Sequence, residues 1–291
     1  MDARSKGLLL TATGVLLLSP DALVQRWLNL EAMALLAWRG LLMGVGLALL
    51  LVWRYRGGFM AQLRACGSTG LWCGLCYASS TLCFLAAMQK VGAAVTLLLF
   101  SVSSAFAALL AWCCLGERLP RQTLLSIGVC MVGVLLIVGD DLQGASLAGC
   151  LLALLAALLL AGNLTLARSR PAVDMSPGLM LGAFMAAAFS WGGGEPASLD
   201  GQQWLVLLVM AGVLLPLGFM LVQLGPQSIS PAEVGLLILL EAVLGPLWVW
   251  WLLGETPSTG VLLGGAIVLG GLALNVWLPQ RVKSPVLAAQ E

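Results

Sequence analysis

The chain predicts an all-α integral membrane protein of ten transmembrane helices, folded as two inverted five-helix repeats. Three observations carry that reading. First, 60% of its 291 residues are hydrophobic and only 9% are charged, where soluble domains carry about 25%; such a chain cannot cover a water-facing surface. Second, the sequence repeats itself at a constant offset of 138 residues: Leu115-Gly116-Glu117 coincides with Leu253-Gly254-Glu255, Trp112 with Trp250 and Gly133 with Gly271. Third, the basic residues fall almost wholly in alternate loops.

The hydrocarbon core of a bilayer takes roughly 20 apolar residues of helix. On that ruler the spans lie near 7–24, 32–53, 67–88, 93–115, 122–139, 146–167, 175–191, 202–224, 232–253 and 259–278. The runs are long and lack period-two alternation, which indicates helices rather than a barrel. Span 1 follows Arg4 and Lys6 and reads as a retained helix, because Ser19-Pro20-Asp21 is not a small-residue cleavage site. Spans 3 and 4 are parted only by Gln89-Lys90-Val91-Gly92, and spans 8 and 9 only by Gly225-Pro226-Gln227. Spans 4 and 9 carry the repeat. Spans 5 and 10 are repeat mates with glycines at 128 and 133 and at 260, 264, 265, 270 and 271. That pattern fits close helix contact, at a homodimer face or a bracing helix.

Orientation follows from the positive-inside rule. With the N-terminus inside, the cytoplasmic segments hold Arg4, Lys6, Arg54, Arg56, Arg64, Arg118, Arg121, Arg168, Arg170, Arg281 and Lys283, while the outside segments hold only Arg26 and Lys90. Both termini are then cytoplasmic. Each half has an odd number of spans, so the second enters the membrane inverted. The first repeat covers 1–141, the second 142–279, and 280–291 form a cytoplasmic tail.

Several function classes are disfavoured. No basic stretch is long enough for nucleic acid. The chain has no histidine, no carboxylates paired at catalytic spacing and no nucleophile motif, all of which argue against a membrane enzyme. It lacks a Gly-x-x-x-x-Gly-Lys loop for ATP. No cofactor is implied. Cys73-Gly74-Leu75-Cys76 is a formal CxxC, and Cys66 and Cys83 share its helix face; without a histidine or a second CxxC, this reads as helix packing rather than a metal site. A non-catalytic scaffold would not need two inverted halves with charges near their common axis.

Charged residues inside spans mark the candidate site, since each costs about 2.5–3.5 kcal/mol at the bilayer centre. Glu241 is mid-span in span 9, and its repeat mate is Ser103 in span 4. Arg39 lies about two turns into span 2. Their alternatives are a site for cargo and proton, or a static pair locking two helices together. Asp21 and Glu233 sit near span ends, where a helix cap is the plainer reading. Tyr77 and Asn163 are polar groups well inside spans 3 and 6. Trp38, beside Arg39, and Trp248, two turns after Glu241, are candidate cavity walls.

The run Ser230-Pro231-Ala232-Glu233-Val234, with Leu239-Leu240-Glu241-Ala242-Val243, Leu247 and Leu252-Leu253-Gly254-Glu255, resembles the EamA module of the drug/metabolite transporter superfamily. A weaker copy ends the first half at Leu115-Gly116-Glu117-Arg118. The resemblance implies ten helices around a central cavity, alternating access, and export of amino acids or related zwitterionic metabolites from a bacterial inner membrane. A proton is the candidate coupling ion. Leu18-Ser19-Pro20-Asp21-Ala22-Leu23 with Gly245-Pro246-Leu247-Trp248-Val249-Trp250 looks like a subgroup that includes exporters of opine-type metallophores.

Overall fold

Apolar runs of this length can satisfy their backbone in lipid only as helices, and the computed structural model is built of them. It describes residues 3–28, 30–117, 121–138, 146–191, 199–253 and 259–277. In chain order these are α1 (Ala3–Leu18), α2 (Asp21–Leu28), α3 (Ala32–Tyr55), α4 (Phe59–Ser101), α5 (Ser103–Leu115), α6 (Arg121–Val138) and α7 (Leu147–Ser169), then α8 (Ser176–Ser190), α9 (Gly201–Val209), α10 (Leu215–Leu224), α11 (Pro231–Ile238), α12 (Leu240–Leu253) and α13 (Thr259–Trp277). They make a multi-pass membrane bundle of two five-span halves. Glu195, Glu255, Arg118 and the tail lie outside the described residues.

Span 1 is not the single helix expected over 7–24. It breaks at Ser19-Pro20, where the proline has no N–H and the residue before it is pushed out of the helical region. Ser19 caps the stub of α1, its hydroxyl donating to the Leu16 carbonyl at 2.8 Å. Spans 3 and 4 differ in another way. The structure joins them in one helical element, α4, of 43 residues, with Gly67 inside it at φ +52°. Yet the Phe84 and Phe100 rings lie 4.9 Å apart, whereas sixteen residues of straight helix would part them by about 24 Å. The helix therefore doubles back between them, as the Gln89–Gly92 boundary predicts.

Spans 4 and 9 are each broken once, at nearly symmetry-related positions. Val102 (φ −63°, ψ −12°) and Leu239 (φ −60°, ψ −19°) tighten the helix locally. Their N–H groups reach back three residues, to Leu99 and Leu236, at 3.2 and 3.1 Å. Discontinuous helices at matching places in two inverted halves are a recurrent construction of substrate sites in transporters. In span 8, Pro216 cannot donate to the Gly212 carbonyl, and the helix relaxes into a π turn over Met210–Leu214.

Glycines bring the helices together. A Cβ on Gly46 of α3 would meet the Gly212 carbonyl and the Pro216 ring, and one on Gly74 of α4 the backbone of Gly178. Gly133 and Gly271 are used within the chain, α6 packing along α13, whereas a Cβ on Gly128 or Gly270 would meet nothing within 4 Å. A Cβ on Gly133 would lie 2.7 Å from the Gly264 carbonyl and 2.8 Å from Val268; one on Gly271 would lie 3.3 Å from the Ser126 carbonyl and 2.7 Å from Cys130. The 138-residue offset converts the first pair of contacts into the second. It also carries Cys130 onto Val268, and these two touch, Sγ to carbonyl, at 3.6 Å. The pseudo-twofold axis passes between them.

Candidate functional site

Three elements place charge inside the bundle. The Ser19-Pro20 break leaves Asp21 at the first turn of α2, where a carboxylate faces the positive end of the helix. Arg39 projects from α3, and its Nη2 donates to Asp21 Oδ2 at 2.7 Å. Glu241 stands in the first turn of α12, directly after the span 9 break. Its carboxylate makes no hydrogen bond or ion pair among the described residues, though Asp21 and Arg39 are near enough to act on it electrostatically. The partner of Arg39 is thus Asp21 rather than Glu241. Two carboxylates and one guanidinium gather here, and Glu241 is the member with no hydrogen bond or ion pair among the described residues.

Trp248 closes the cluster from α12. Its Nε1 donates to Ser19 Oγ at 2.9 Å, tying the second repeat to the break that positions Asp21. Tyr77 is buried below, its hydroxyl donating to Met43 Sδ at 3.3 Å and its ring edge-on to Phe219 at 5.5 Å. It lies within electrostatic range of Arg39. An apolar cleft of about 580 Å³ lies beside this cluster, between Leu244, Leu247, Trp248, Trp250 and Trp251. Trp251 is 75% exposed there, so this cleft faces lipid and lacks the polar groups of a cargo site.

The other candidates are placed elsewhere. Trp38 packs against Trp191 and Trp204, at 5.3 and 4.8 Å between ring centroids. Asn163 exchanges two hydrogen bonds with Gln223, at 3.2 and 3.1 Å, both side chains buried. Four amide hydrogen-bonding groups are satisfied pairwise between α7 and α10, which suits a structural cross-brace. Ser103 is buried just past the span 4 break, beside the close crossing of Ser104 with Gly235. Glu233 forms a capping box with Ser230, whose N–H donates to Oε2 at 3.0 Å. Its Oε1 takes Arg4 at 3.2 Å. That is the cap expected of a helix-end carboxylate, with an ion pair added.

Glu233 also belongs to a polar band across the end of the bundle that carries Arg4, here called the basic end. Glu117, closing α5, accepts from Arg168 Nε at 2.8 Å, and Arg168 Nη1 donates to the Pro226 carbonyl at 3.0 Å. Gln227 donates to the Val173 carbonyl at 3.3 Å, and the neighbouring Asp174 takes the Tyr55 hydroxyl at 2.6 Å. The Gln62 amide and Cys66 thiol donate to the Asp174 carbonyl at 3.1 and 3.0 Å. The band joins both repeats across this end. Ser19, Gln223, Glu117 and Arg168 were not singled out as site residues. For Ser19 the available signal was a serine before proline inside a span; for Arg168 and Glu117 it was only their position at span ends.

The comparisons agree with this architecture. A family model described as "EamA-like transporter family" matches residues 5–139 and 147–277. No curated protein matches. A solved protein crystal structure, 18% identical, superposes with a TM-score of 0.82 over 96% of this chain and 100% of its own; at that identity it speaks for the fold alone.

Proposed function

We propose, from the premise that this chain belongs to the EamA-like transporter family, that it is a secondary active exporter of amino acids or related zwitterionic metabolites. It works by alternating access in a bacterial inner membrane, with the basic end cytoplasmic and a proton as the coupling ion. The observation that carries the reading is Glu241, an ionisable group without a polar partner among the described residues, beside the Asp21–Arg39 pair. Without cargo the three groups sum to one negative charge in a low-dielectric setting. A proton or the ammonium group of a cargo relieves that charge, and the two then compete for one carboxylate. Asp21 holds the place a cargo carboxylate takes on the Arg39 fork. The apolar remainder of the cargo packs on Trp248.

An opine-type metallophore is the second cargo class. The two segments that carry the narrower resemblance meet in the Ser19–Trp248 hydrogen bond, which supports keeping it. The test is uptake of labelled amino acids and opines into vesicles containing only the purified protein, under an imposed pH gradient. Glu241→Gln is expected to fold normally, to equilibrate cargo, and to lose pH-driven accumulation. Full accumulation by that variant would remove Glu241 from coupling; no concentrative transport by the unaltered protein would make it a uniporter.

A further inference from the structure

At the basic end, α3 turns into α4 through a short 3₁₀ turn over Arg56–Gly58. Arg56 there has φ +47°, a backbone region that L side chains rarely adopt and glycine takes freely. Gly57 follows immediately, and neither Gly57 nor Gly58 has a neighbour within 4 Å. A glycine at 56 would remove the strain at no packing cost, yet the position carries a guanidinium. That guanidinium has no hydrogen bond or ion pair among the described residues, and neither has that of Arg64, further along α4. Arg170 reaches the same stretch, donating to the Ala65 carbonyl at 3.4 Å. Arg54 lies 4.0 Å from its nearest carboxylate, the buried Asp174.

Four exposed arginines thus crowd one corner whose described carboxylate is already held by Tyr55. The first turn of α4 adds no acidic residue that would repel an anion. Trp53, 78% exposed, and Met60, 62% exposed, flank it on the lipid side. An anion with an apolar body satisfies all of these at once. We propose that this α3–α4 corner binds the phosphodiester headgroup of an anionic phospholipid from the leaflet at the basic end. The guanidinium groups hold the phosphate, and Trp53 lies along the upper acyl chain.

Native mass spectrometry of the delipidated full chain, titrated with phosphatidylglycerol or phosphatidylcholine of matched chains, tests this. At roughly a factor of five for each arginine near the surface, the preference for phosphatidylglycerol is expected to fall about 25-fold in Arg56→Gln with Arg64→Gln. Neither side chain has a partner among the described residues to lose, so folding should persist. Arg56→Gly separates the roles further: it should raise thermal stability while lowering phosphatidylglycerol retention. A purely structural Arg56 would change stability alone. Undiminished preference in the double variant would overturn the proposal. So would displacement of the lipid by equimolar glycerol phosphate, which would mark a site for free phosphate instead.

Discussion

Arg168→Met should open the basic end. Its guanidinium holds Glu117 of the first repeat at 2.8 Å and the Pro226 carbonyl at 3.0 Å, with the two charged side chains 19% and 17% exposed. A shielded charged hydrogen bond contributes about 1.5–3 kcal/mol and an exposed ion pair about 0.2–1 kcal/mol. At less than one-fifth exposure, the pair falls between, near about 1–2 kcal/mol, and the carbonyl bond adds about 1 kcal/mol. Moving the basic end apart must break both. Their loss therefore shifts the closed-to-open equilibrium by about 2–3 kcal/mol, or about 30- to 150-fold. The reporter is a cysteine at Ser104, which is fully buried where α5 crosses α11, in a background with the eight native cysteines replaced. A charged maleimide applied from the basic side should modify it at least tenfold faster in Arg168→Met. Adding Glu117→Gln, which removes the stranded carboxylate, should not restore the slow rate. An unchanged rate in a folded Arg168→Met protein would refute the view that this pair closes the end.

Two further outcomes follow from local geometry. In Gly46→Ala the new methyl must enter the space of the Gly212 carbonyl and Pro216 Cγ, the latter at 2.5 Å. Prying α3 from the π turn should cost about 1–3 kcal/mol, read as an earlier thermal unfolding in detergent, whereas Gly57→Ala, in open space, should leave the midpoint in place. Burial and its bond to Asp174 push the Tyr55 phenol up to about 12, against about 10 when free. The folded protein then holds this proton more tightly than the unfolded chain, so its stabilisation is complete below about pH 10 and is lost as pH rises toward 12. Tyr55→Phe should unfold earlier at pH 8 but show a flatter stability profile between pH 10 and 12.

The spans, the repeat and the glycine contacts were legible because each rests on local composition or on a fixed sequence offset. Hydropathy put span 9 over 232–253, where α11 and α12 lie, and the place of Glu233 near a span end pointed to a helix cap. Partner choice among intramembrane charges was not legible. Arg39 pairs with Asp21, the first residue of α2 after the Ser19-Pro20 break, and span length alone does not report a break. The Asn163–Gln223 brace depends on the relative rotation of α7 and α10, which depends in turn on the π turn before Pro216. Trp38 was paired with Arg39 by adjacency in sequence, but successive residues on a helix point about 100° apart, and its ring turns to Trp191 and Trp204.

The meeting of Cys130 with Val268 has a mechanical consequence. In an inverted-repeat carrier, the two end states arise when the halves exchange conformations, each taking the shape its mate has left. A contact between a residue and its own mate is carried onto itself by that exchange. It is therefore the same on both sides of the cycle, and so is the pair of glycine contacts that the offset interconverts. The seam between α6 and α13 is then a fulcrum. In the alternating access proposed above, the remaining helices would rock about it, and it can be packed as tightly as any soluble core without slowing turnover.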